Sequence, residues 1–403
     1  MKLFFTLFLF TFPLQSLADA WIQKASFSGS ARHAATGFFL NGKGYIGTGG
    51  TFSVRKKDFW EWNPATDAWT QIADLAVSQG RSGSVGFAIG DYGYISTGYD
   101  NGYQNDLWQY DPSGNSWTQK SDVGTIGRHY AVAFELNGYG YLGTGNKNFA
   151  MQDFWQYDPA SDSWSQEADF GGNARSSATG FGINGKGYLG IGYGNGPLKD
   201  FWEYDPSSNS WTQKADFGGG ERSDAAGFAA CGLGYIATGV SNSQDQNDLW
   251  EYDPASDTWT EKTNFGGSAR DNAVAFSDGT YGYVGTGTDI FNEFSDFWQY
   301  TPDCVFSNIN GHSASTAKSI KVLDVSPNPV VADACIRLES GGAEEVHVTL
   351  YSSGGVLTYH QSFAAQNGDQ ILTLHLENLN TGIYLLHVSC ENDSYSRKLI
   401  RMN

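Results

Sequence analysis

The chain has few of the residues from which metal centres and basic binding surfaces are built. Its 403 residues include four cysteines, seven histidines and three methionines, and 24 Lys and Arg stand against 43 Asp and Glu. The formal net charge of −19 argues against a nucleic-acid surface, which needs basic stripes to neutralise phosphates. The one basic run, Arg55-Lys56-Lys57, is more typical of a solvated loop tip. No Asp-rich EF-hand loop is present, so we expect no metal site, no cofactor and no nucleic-acid partner.

Long apolar runs are also scarce, and the clearest one lies at the N-terminus. Lys2 precedes the apolar stretch Leu3 to Phe10, and small residues at Ala18 and Ala20 offer a cleavage site. This stretch is shorter than the roughly 20 residues that span a bilayer. We predict a signal peptide at residues 1–20, a mature chain that begins near Asp19 or Trp21, and no transmembrane span in it. A retained signal anchor is the alternative.

Helical periodicity is missing from the rest of the chain, which is instead rich in glycine and aromatic residues. Six arginines recur in the same local context, and their spacings, by subtraction, are 49, 47, 47, 47 and 48 residues. They are Arg32, Arg81, Arg128, Arg175, Arg222 and Arg270. A period of this length indicates a repeat architecture, and an arginine present in every copy is more economically a structural residue than a catalytic one.

One copy shows the unit clearly. After Arg175, two apolar runs flank the turn Asn184-Gly185, which is typical of a β-hairpin with a two-residue turn. The cluster Asp200-Phe201-Trp202-Glu203-Tyr204 and the segment Ser210 to Lys214 follow, separated by an Asp-Pro turn. Four short antiparallel strands without a helix predict one blade of a β-propeller.

The final unit lacks a fourth strand. It stops at Trp298-Gln299-Tyr300-Thr301-Pro302, whereas Trp21 to Phe27 matches the fourth strand at Trp211 to Phe217 and precedes the first arginine. The N-terminal strand is therefore expected to complete the last blade. This closes a ring of six blades over residues 21–303 and removes exposed sheet edges.

The repeat unit resembles the Kelch repeat, which has an arginine, a glycine-rich second strand, a tyrosine and a tryptophan at this period. Most copies end the second strand with one glycine after Thr or Ile, which is similar to galactose-oxidase-like Kelch proteins of bacteria. The resemblance implies an all-β, six-bladed Kelch β-propeller. It implies nothing about oxidation.

The sequence pattern changes after the predicted propeller. Residues 304–319 are a polar linker, and residues 320–403 carry about seven short alternating segments, which predict a small β-sandwich. The segments Val325 to Val330, Val348 to Gly355, Leu379 to Val388 and Arg397 to Ile400 resemble the type A C-terminal sorting domain of the type IX secretion system of Bacteroidetes. This resemblance implies the type IX machinery as a partner and a secreted or outer-membrane surface-attached protein. A carbohydrate-binding or adhesive sandwich is the alternative.

Four cysteines in an exported chain permit disulfides. Cys335 and Cys390 both lie on candidate strands of the tail and are the more plausible pair. Cys231, in a hairpin turn, and Cys304, after the third strand of the last unit, could form a second bridge or remain reduced.

Residues that break the sixfold pattern are the catalytic candidates. They are His33, His129, Tyr130, Asp224 and Asp271. A copper centre like that of galactose oxidase needs more ligands than the propeller's two histidines, His33 and His129, can supply. A sugar epimerase or lyase that uses these residues at the channel mouth stays open as an alternative to a binding module.

Binding residues are expected in the loops between the second and third strands, because these vary most between copies. Exposed aromatic and polar side chains there suit a glycan or a protein ligand. The candidates are Arg55, Tyr99, Asn101, Tyr103, Phe149, Tyr193, Asn195 and Phe291. We therefore interpret the sequence as a secreted or cell-surface binding or adhesion module, more plausibly without enzymatic activity.

Overall fold

The computed structural model describes residues 19–303 and the strands of the tail between residues 319 and 401. Residues 1–18 of the predicted leader and residues 304–318 of the predicted linker, with Cys304, lie outside the described residues. The chain divides into two compact units, 1–305 and 306–403. In the part that is described, no helix is long and apolar enough to cross a membrane.

The first unit consists of six four-stranded antiparallel sheets and one two-stranded ribbon. Its strands are β1 (Ala20–Lys24), β2 (Thr36–Leu40), β3 (Lys43–Gly47), β4 (Phe59–Asn63), β5 (Ala68–Ile72), β6 (Val85–Ile89), β7 (Tyr92–Ser96), β8 (Leu107–Asp111), β9 (Ser116–Lys120), β10 (Val132–Leu136), β11 (Tyr139–Gly143), β12 (Phe154–Asp158), β13 (Ser163–Gln166), β14 (Thr179–Ile183), β15 (Lys186–Gly190), β16 (Phe201–Asp205), β17 (Ser210–Lys214), β18 (Ala226–Ala230), β19 (Leu233–Ala237), β20 (Val240–Ser241), β21 (Gln244–Asp245), β22 (Leu249–Asp253), β23 (Thr258–Lys262), β24 (Val274–Ser277), β25 (Gly282–Gly285) and β26 (Phe297–Thr301).

Blades 1 to 6 each start after one repeat arginine. Blade 1 is β2–β5, blade 2 is β6–β9, blade 3 is β10–β13 and blade 4 is β14–β17; blade 5 is β18, β19, β22 and β23, and blade 6 is β24, β25, β26 and β1. The first strand of each blade contacts the first strands of both neighbours, from β2 round to β24 and back to β2. The predicted six-bladed propeller is therefore confirmed. The β20–β21 ribbon in a loop of blade 5 was not expected.

The hairpin between β14 and β15 shows why the sequence turns where it does. Asn184 and Gly185 have φ values of 50° and 76°, and both central residues of a type I′ turn need positive φ. Asn and Gly tolerate this conformation best. Cys231 and Gly232 form the corresponding turn of blade 5, with φ values of 53° and 77°.

The N-terminal strand closes the ring as predicted. β1 pairs antiparallel with β26, with Trp21 opposite Tyr300. Trp21 lies 5.0 Å from Phe265, edge to face, and its Nε1 donates to the Thr263 carbonyl at 3.1 Å. Trp211 repeats this arrangement with Phe170 and the Ala168 carbonyl in blade 4. β1 begins at Ala20, the last residue of the predicted leader.

The second unit is a two-sheet arrangement around one core. Its strands are β27 (Ser319–Ser326), β28 (Asp333–Gly341), β29 (Glu345–Ser352), β30 (Leu357–Ala364), β31 (Gly368–His375), β32 (Gly382–Cys390) and β33 (Asp393–Arg401). The sheet orders are β27-β28-β31 and β30-β29-β32-β33. Buried Val346, Val348 and Leu350 of one sheet share a core with Leu372 and Leu374 of the other. The sandwich expected from the alternating sequence is thus present.

Candidate functional site

The variable loops and the residues that follow the repeat arginines lie on one face of the propeller, which we call the loop face. The residue after each repeat arginine forms a β-bridge with the third residue after the second strand, for example His33 with Gly50 and Asp271 with Thr288. The backbone amide of Arg81, in turn, donates to the carbonyl of Lys56 in the loop of blade 1 at 2.9 Å. Loops of neighbouring blades are therefore held at fixed positions around the channel.

A closed ring of six backbone hydrogen bonds surrounds the channel on this face. Its members lie two residues after each repeat arginine, and each amide donates to the carbonyl of the preceding blade at 2.9–3.0 Å. They are Ala34, Gly83, Tyr130, Ser177, Asp224 and Asn272, all with positive φ. The backbone is sixfold here, whereas the six side chains all differ. The side chain at this position can therefore carry different functional groups without disturbing the ring of backbone hydrogen bonds.

These six residues line a cavity of about 110 Å³. The next residue in each blade is Ala or Ser, and these small side chains complete the wall. The polar groups Ser177, Asp224 and Asn272 come from blades 4, 5 and 6. A Cβ built on Gly83 would lie 3.4 Å from Cδ1 and Cε1 of Tyr130, so the Tyr130 ring packs against blade 2. We call this space the channel cavity.

The acidic groups of the channel cavity, Asp224 and Tyr130, and the adjacent Asp271 have raised pKa values. Burial raises the pKa of Asp224, and hydrogen bonds from Ser177 and Ser223 oppose this only in part; the Ser223 hydroxyl donates to Oδ2 at 2.9 Å. Burial, followed by the charges of Asp224, Asp245 and Asp289, raises the pKa of Asp271 to about 6. Burial and the charges of Asp224 and Asp271 raise the pKa of Tyr130 to about 12. The structure therefore brings three of the five catalytic candidates, Tyr130, Asp224 and Asp271, close enough to influence one another's charge, each with a raised pKa.

A row of aromatic rings leads from the loops to the channel cavity. Arg55 lies over the Tyr99 ring at 4.6 Å, and its Nη1 donates to Oδ1 of Asn101 at 3.1 Å. Tyr99 and Tyr103 are 5.1 Å apart, and Tyr103 is 5.2 Å from His129. His129 in turn lies 4.5 Å from Tyr130 of the cavity. We call Arg55, Tyr99, Tyr103 and His129 the aromatic ladder.

Burial among these rings lowers the pKa of His129, so the imidazole is neutral near pH 7. His33 has a different setting, because its Nδ1 lies 3.2 Å from Oε1 of Glu293 and its ring 5.7 Å from Phe52. The two histidines thus belong to separate clusters. Phe149, Tyr193, Asn195 and Phe291 are exposed in the loops of blades 3, 4 and 6, outside the aromatic ladder.

The repeat arginines form a second, buried set of contacts. All six guanidiniums bind the Asp that opens the third-strand cluster and also donate to a backbone carbonyl at the end of the second strand. Arg175, for example, lies 2.8 and 2.7 Å from the two oxygens of Asp200 and 2.8 Å from the Ile191 carbonyl. Burial alone would raise the pKa of Asp200, but the hydrogen bonds and charge of Arg175 overcome this and lower it. These arginines do not point to a ligand.

The cysteines predicted to pair in the tail lie on separate strands. Cys335 lies on β28 and Cys390 ends β32, and these strands belong to different sheets. Cys231, on the first hairpin turn of blade 5, is disulfide-bonded. Across the described residues, no cluster of three or more His, Cys, Asp or Glu could hold a metal ion.

Sequence reasoning named Tyr130 and Asp224 but missed Ser177 and Asn272 of the same ring. The signal was available, because aligning the six arginines places all four residues in one column. Glu293, the partner of His33, was also missed. It belongs to the blade 6 loop, and only closure of the ring brings that loop to blade 1.

Comparisons with known proteins give one family match for the tail and matches of fold to solved structures. The tail is similar to a sorting domain. Residues 324–402 match the family described as "Secretion system C-terminal sorting domain". Sorting domains of this family direct export, so the chain carries an export signal at its C-terminal end. No curated protein matches the chain.

The propeller is similar in fold to solved structures. The structure titled "Structure of YjhT" superimposes with a TM-score of 0.59 and 16% sequence identity, over 69% of this chain and 97% of that one. In all, 526 chains of solved structures match. At this identity the likeness establishes the β-propeller fold alone, because one fold hosts many functions.

Proposed function

We propose that the protein is a propeller of the Kelch class, exported through the type IX secretion system, that binds carbohydrate at the loop face. One observation carries this proposal: the aromatic ladder runs from the loops of blades 1 and 2 to His129 of blade 3 and ends at the polar channel cavity. A sugar offers both an apolar C–H face and a set of hydroxyls. Rings beside a small polar cavity match this combination.

The exposure of the ladder fits a binding role. Tyr99 and Tyr103 are half-buried, while Arg55 and Asn101 are exposed. The rings are held by one another and by the Arg55–Asn101 hydrogen bond, so little side-chain entropy remains to be lost on binding. Ser177, Asp224 and Asn272 then offer hydroxyl, carboxyl and amide partners for sugar hydroxyls.

The negative charge of the protein favours one class of ligand over another. With a formal net charge of −19, the protein repels polyanions at long range. Burial raises the pKa of Asp224 in the channel cavity and so disfavours its charged form, which suits a neutral ligand. We therefore expect neutral glycans to bind better than highly anionic ones, and protein partners to be secondary.

An enzyme remains the second candidate because of Asp271. A carboxyl group with a pKa of about 6 beside Asp224 and Tyr130 has the properties of a general acid–base group near neutral pH. If the protein is a carbohydrate-active enzyme, such as a sugar epimerase, Asp271 is the residue whose loss should abolish turnover.

Binding is tested with a glycan array, followed by calorimetric titration of the best ligand. Tyr103→Ala should weaken the binding of that ligand about 5- to 30-fold, because loss of one stacking ring costs about 1–2 kcal/mol. Tyr193→Ala is the matched control, since Tyr193 is an exposed loop tyrosine outside the ladder. Equal affinities for both variants would refute the location of the site. Sugar turnover that is lost in Asp271→Asn would instead favour the enzyme.

Export is tested separately by deleting residues 320–403. The truncated chain should accumulate in the periplasm, while the full chain reaches the cell surface or the medium. Unchanged secretion would refute the assignment of the tail as the sorting signal.

A further inference from the structure

One turn residue joins each blade to the blade before it. In blades 1 to 5, an Asp or Asn with positive φ precedes the fourth strand, and its side-chain Oδ1 accepts two hydrogen bonds. One comes from an aromatic side chain of the third strand, and the other from a backbone amide of the preceding blade, both at 2.8–3.0 Å. These residues are Asp67, Asn115, Asp162, Asn209 and Asp257.

Blade 6 has no such turn, because its third and fourth strands come from opposite ends of the propeller sequence. Asp19 takes the position instead. Its Oδ1 accepts from the Tyr300 hydroxyl at 2.8 Å and from the Thr263 amide at 3.1 Å, and its φ is 51°. Asp257 of blade 5 makes the same pair of bonds, at 2.8 Å to Tyr252 and 3.0 Å to the Ala215 amide. Asp19 therefore joins blade 6 to blade 5 in the way that the turn residues join the other neighbouring blades.

This geometry distinguishes between two ways of processing the leader. Small residues occur two apart in both Ser16-Leu17-Ala18 and Ala18-Asp19-Ala20, so the sequence alone allows cleavage after Ala18 or after Ala20. Cleavage after Ala20 would remove Asp19 and leave the fully buried Tyr300 hydroxyl without this acceptor. It would also remove the Ala20–Thr301 pair of the closing strand.

We propose that the processing site is the Ala18–Asp19 bond and that Asp19 is the first residue of the mature protein. Hydrolysis consumes one water and leaves a carboxylate on Ala18 and an ammonium group on Asp19. The proposal rests on an export leader at the N-terminus and is independent of the ligand. Processing thus releases a chain whose first residue, Asp19, stabilises the closed ring through its hydrogen bonds to blades 5 and 6.

The stability test compares purified chains that start at Asp19 and at Ala20, together with Asp19→Ala and Asp19→Asn in the longer chain. Loss of the acceptor should lower Tm by about 3–6 °C in the Ala20 chain and in Asp19→Ala. Asp19→Asn should stay within about 1 °C, because Asn115 and Asn209 make the same two bonds in blades 2 and 4. Asp257→Ala is the matched control and should lose as much as Asp19→Ala.

The site itself is read from the N-terminal sequence of the exported full chain. Asp19 as the first residue supports the proposal. A chain that begins at Ala20 or Trp21, or one that retains residues 1–18, overturns it. Equal Tm values for the chains starting at Asp19 and Ala20 would also overturn it. The hydrogen bonds of Asp19 would then add no stability that favours one cleavage position over the other.

Discussion

Replacing Arg175 with methionine tests whether the repeat arginines hold the blades together. Arg175 is fully buried, binds both oxygens of Asp200, and donates to the carbonyls of Ile191 and Asn173 at 2.8 and 2.9 Å. Methionine fills a similar volume but has no donor. After the substitution, Asp200 loses the hydrogen bonds from Arg175. It keeps the hydrogen bond that the Trp202 indole donates to it at 2.7 Å.

The expected cost follows from this geometry. Removing one member of a buried ion pair costs about 3–5 kcal/mol. The Asp200 side chain is 23% exposed, so water partly compensates and the lower end of the range, about 3 kcal/mol, applies. For a domain of this size, that loss corresponds to a fall in Tm of about 6–12 °C.

The effect should depend on pH in a defined direction. The pKa of Asp200 is lowered in the folded state, so its contribution to stability is present above the unfolded pKa of about 4 and is lost as the pH falls. The difference in Tm between the wild-type protein and Arg175→Met should therefore shrink below about pH 4. Arg55→Met, at an exposed loop arginine, is the control. A fall in Tm for Arg175→Met no larger than that for Arg55→Met at pH 7 would refute the reasoning.

Three further predictions concern other parts of the propeller. Trp21→Ala should destabilise by about 2–3 kcal/mol through lost packing on Phe265 and Tyr300, whereas the exposed neighbour Ile22→Ala should change unfolding little in urea titrations. Thr238→Val should raise Tm by about 2 °C, because the buried Thr238 hydroxyl has no partner in the described part of the chain and Ile191 occupies the same position in blade 4. Asp271→Asn should stabilise the protein above about pH 6, since a carboxyl with a raised pKa costs stability once it ionises; the gain should vanish near pH 4, and a gain that is independent of pH would contradict it.

The fold was largely predictable because its determinants recur. Arg32 and its five counterparts mark the blades, and Trp21 matches Trp211 closely enough to show how the ring closes. The alternation around Val348 and Leu374 likewise predicted the tail sandwich. Local patterns of this kind are visible in a sequence because each repeat obeys the same packing rules.

The site was predictable only in part. Tyr99, Tyr103 and Arg55 were named as separate loop residues, but their stacking depends on how two neighbouring blades approach. The ring that contains Ser177 and Asn272 arises from hydrogen bonds between blades, which no local pattern encodes. Likewise, no local pattern shows that Cys335 and Cys390, which the sequence predicts as a pair, lie on strands of different sheets.

The most direct test of the binding site is a crystal structure of the protein with its best neutral glycan. The account predicts that a sugar ring stacks on Tyr103 or Tyr99 and that its hydroxyls reach Ser177, Asp224 or Asn272 in the channel cavity. A glycan bound only at Tyr193 or Phe291, or on the face opposite the loops, would contradict it.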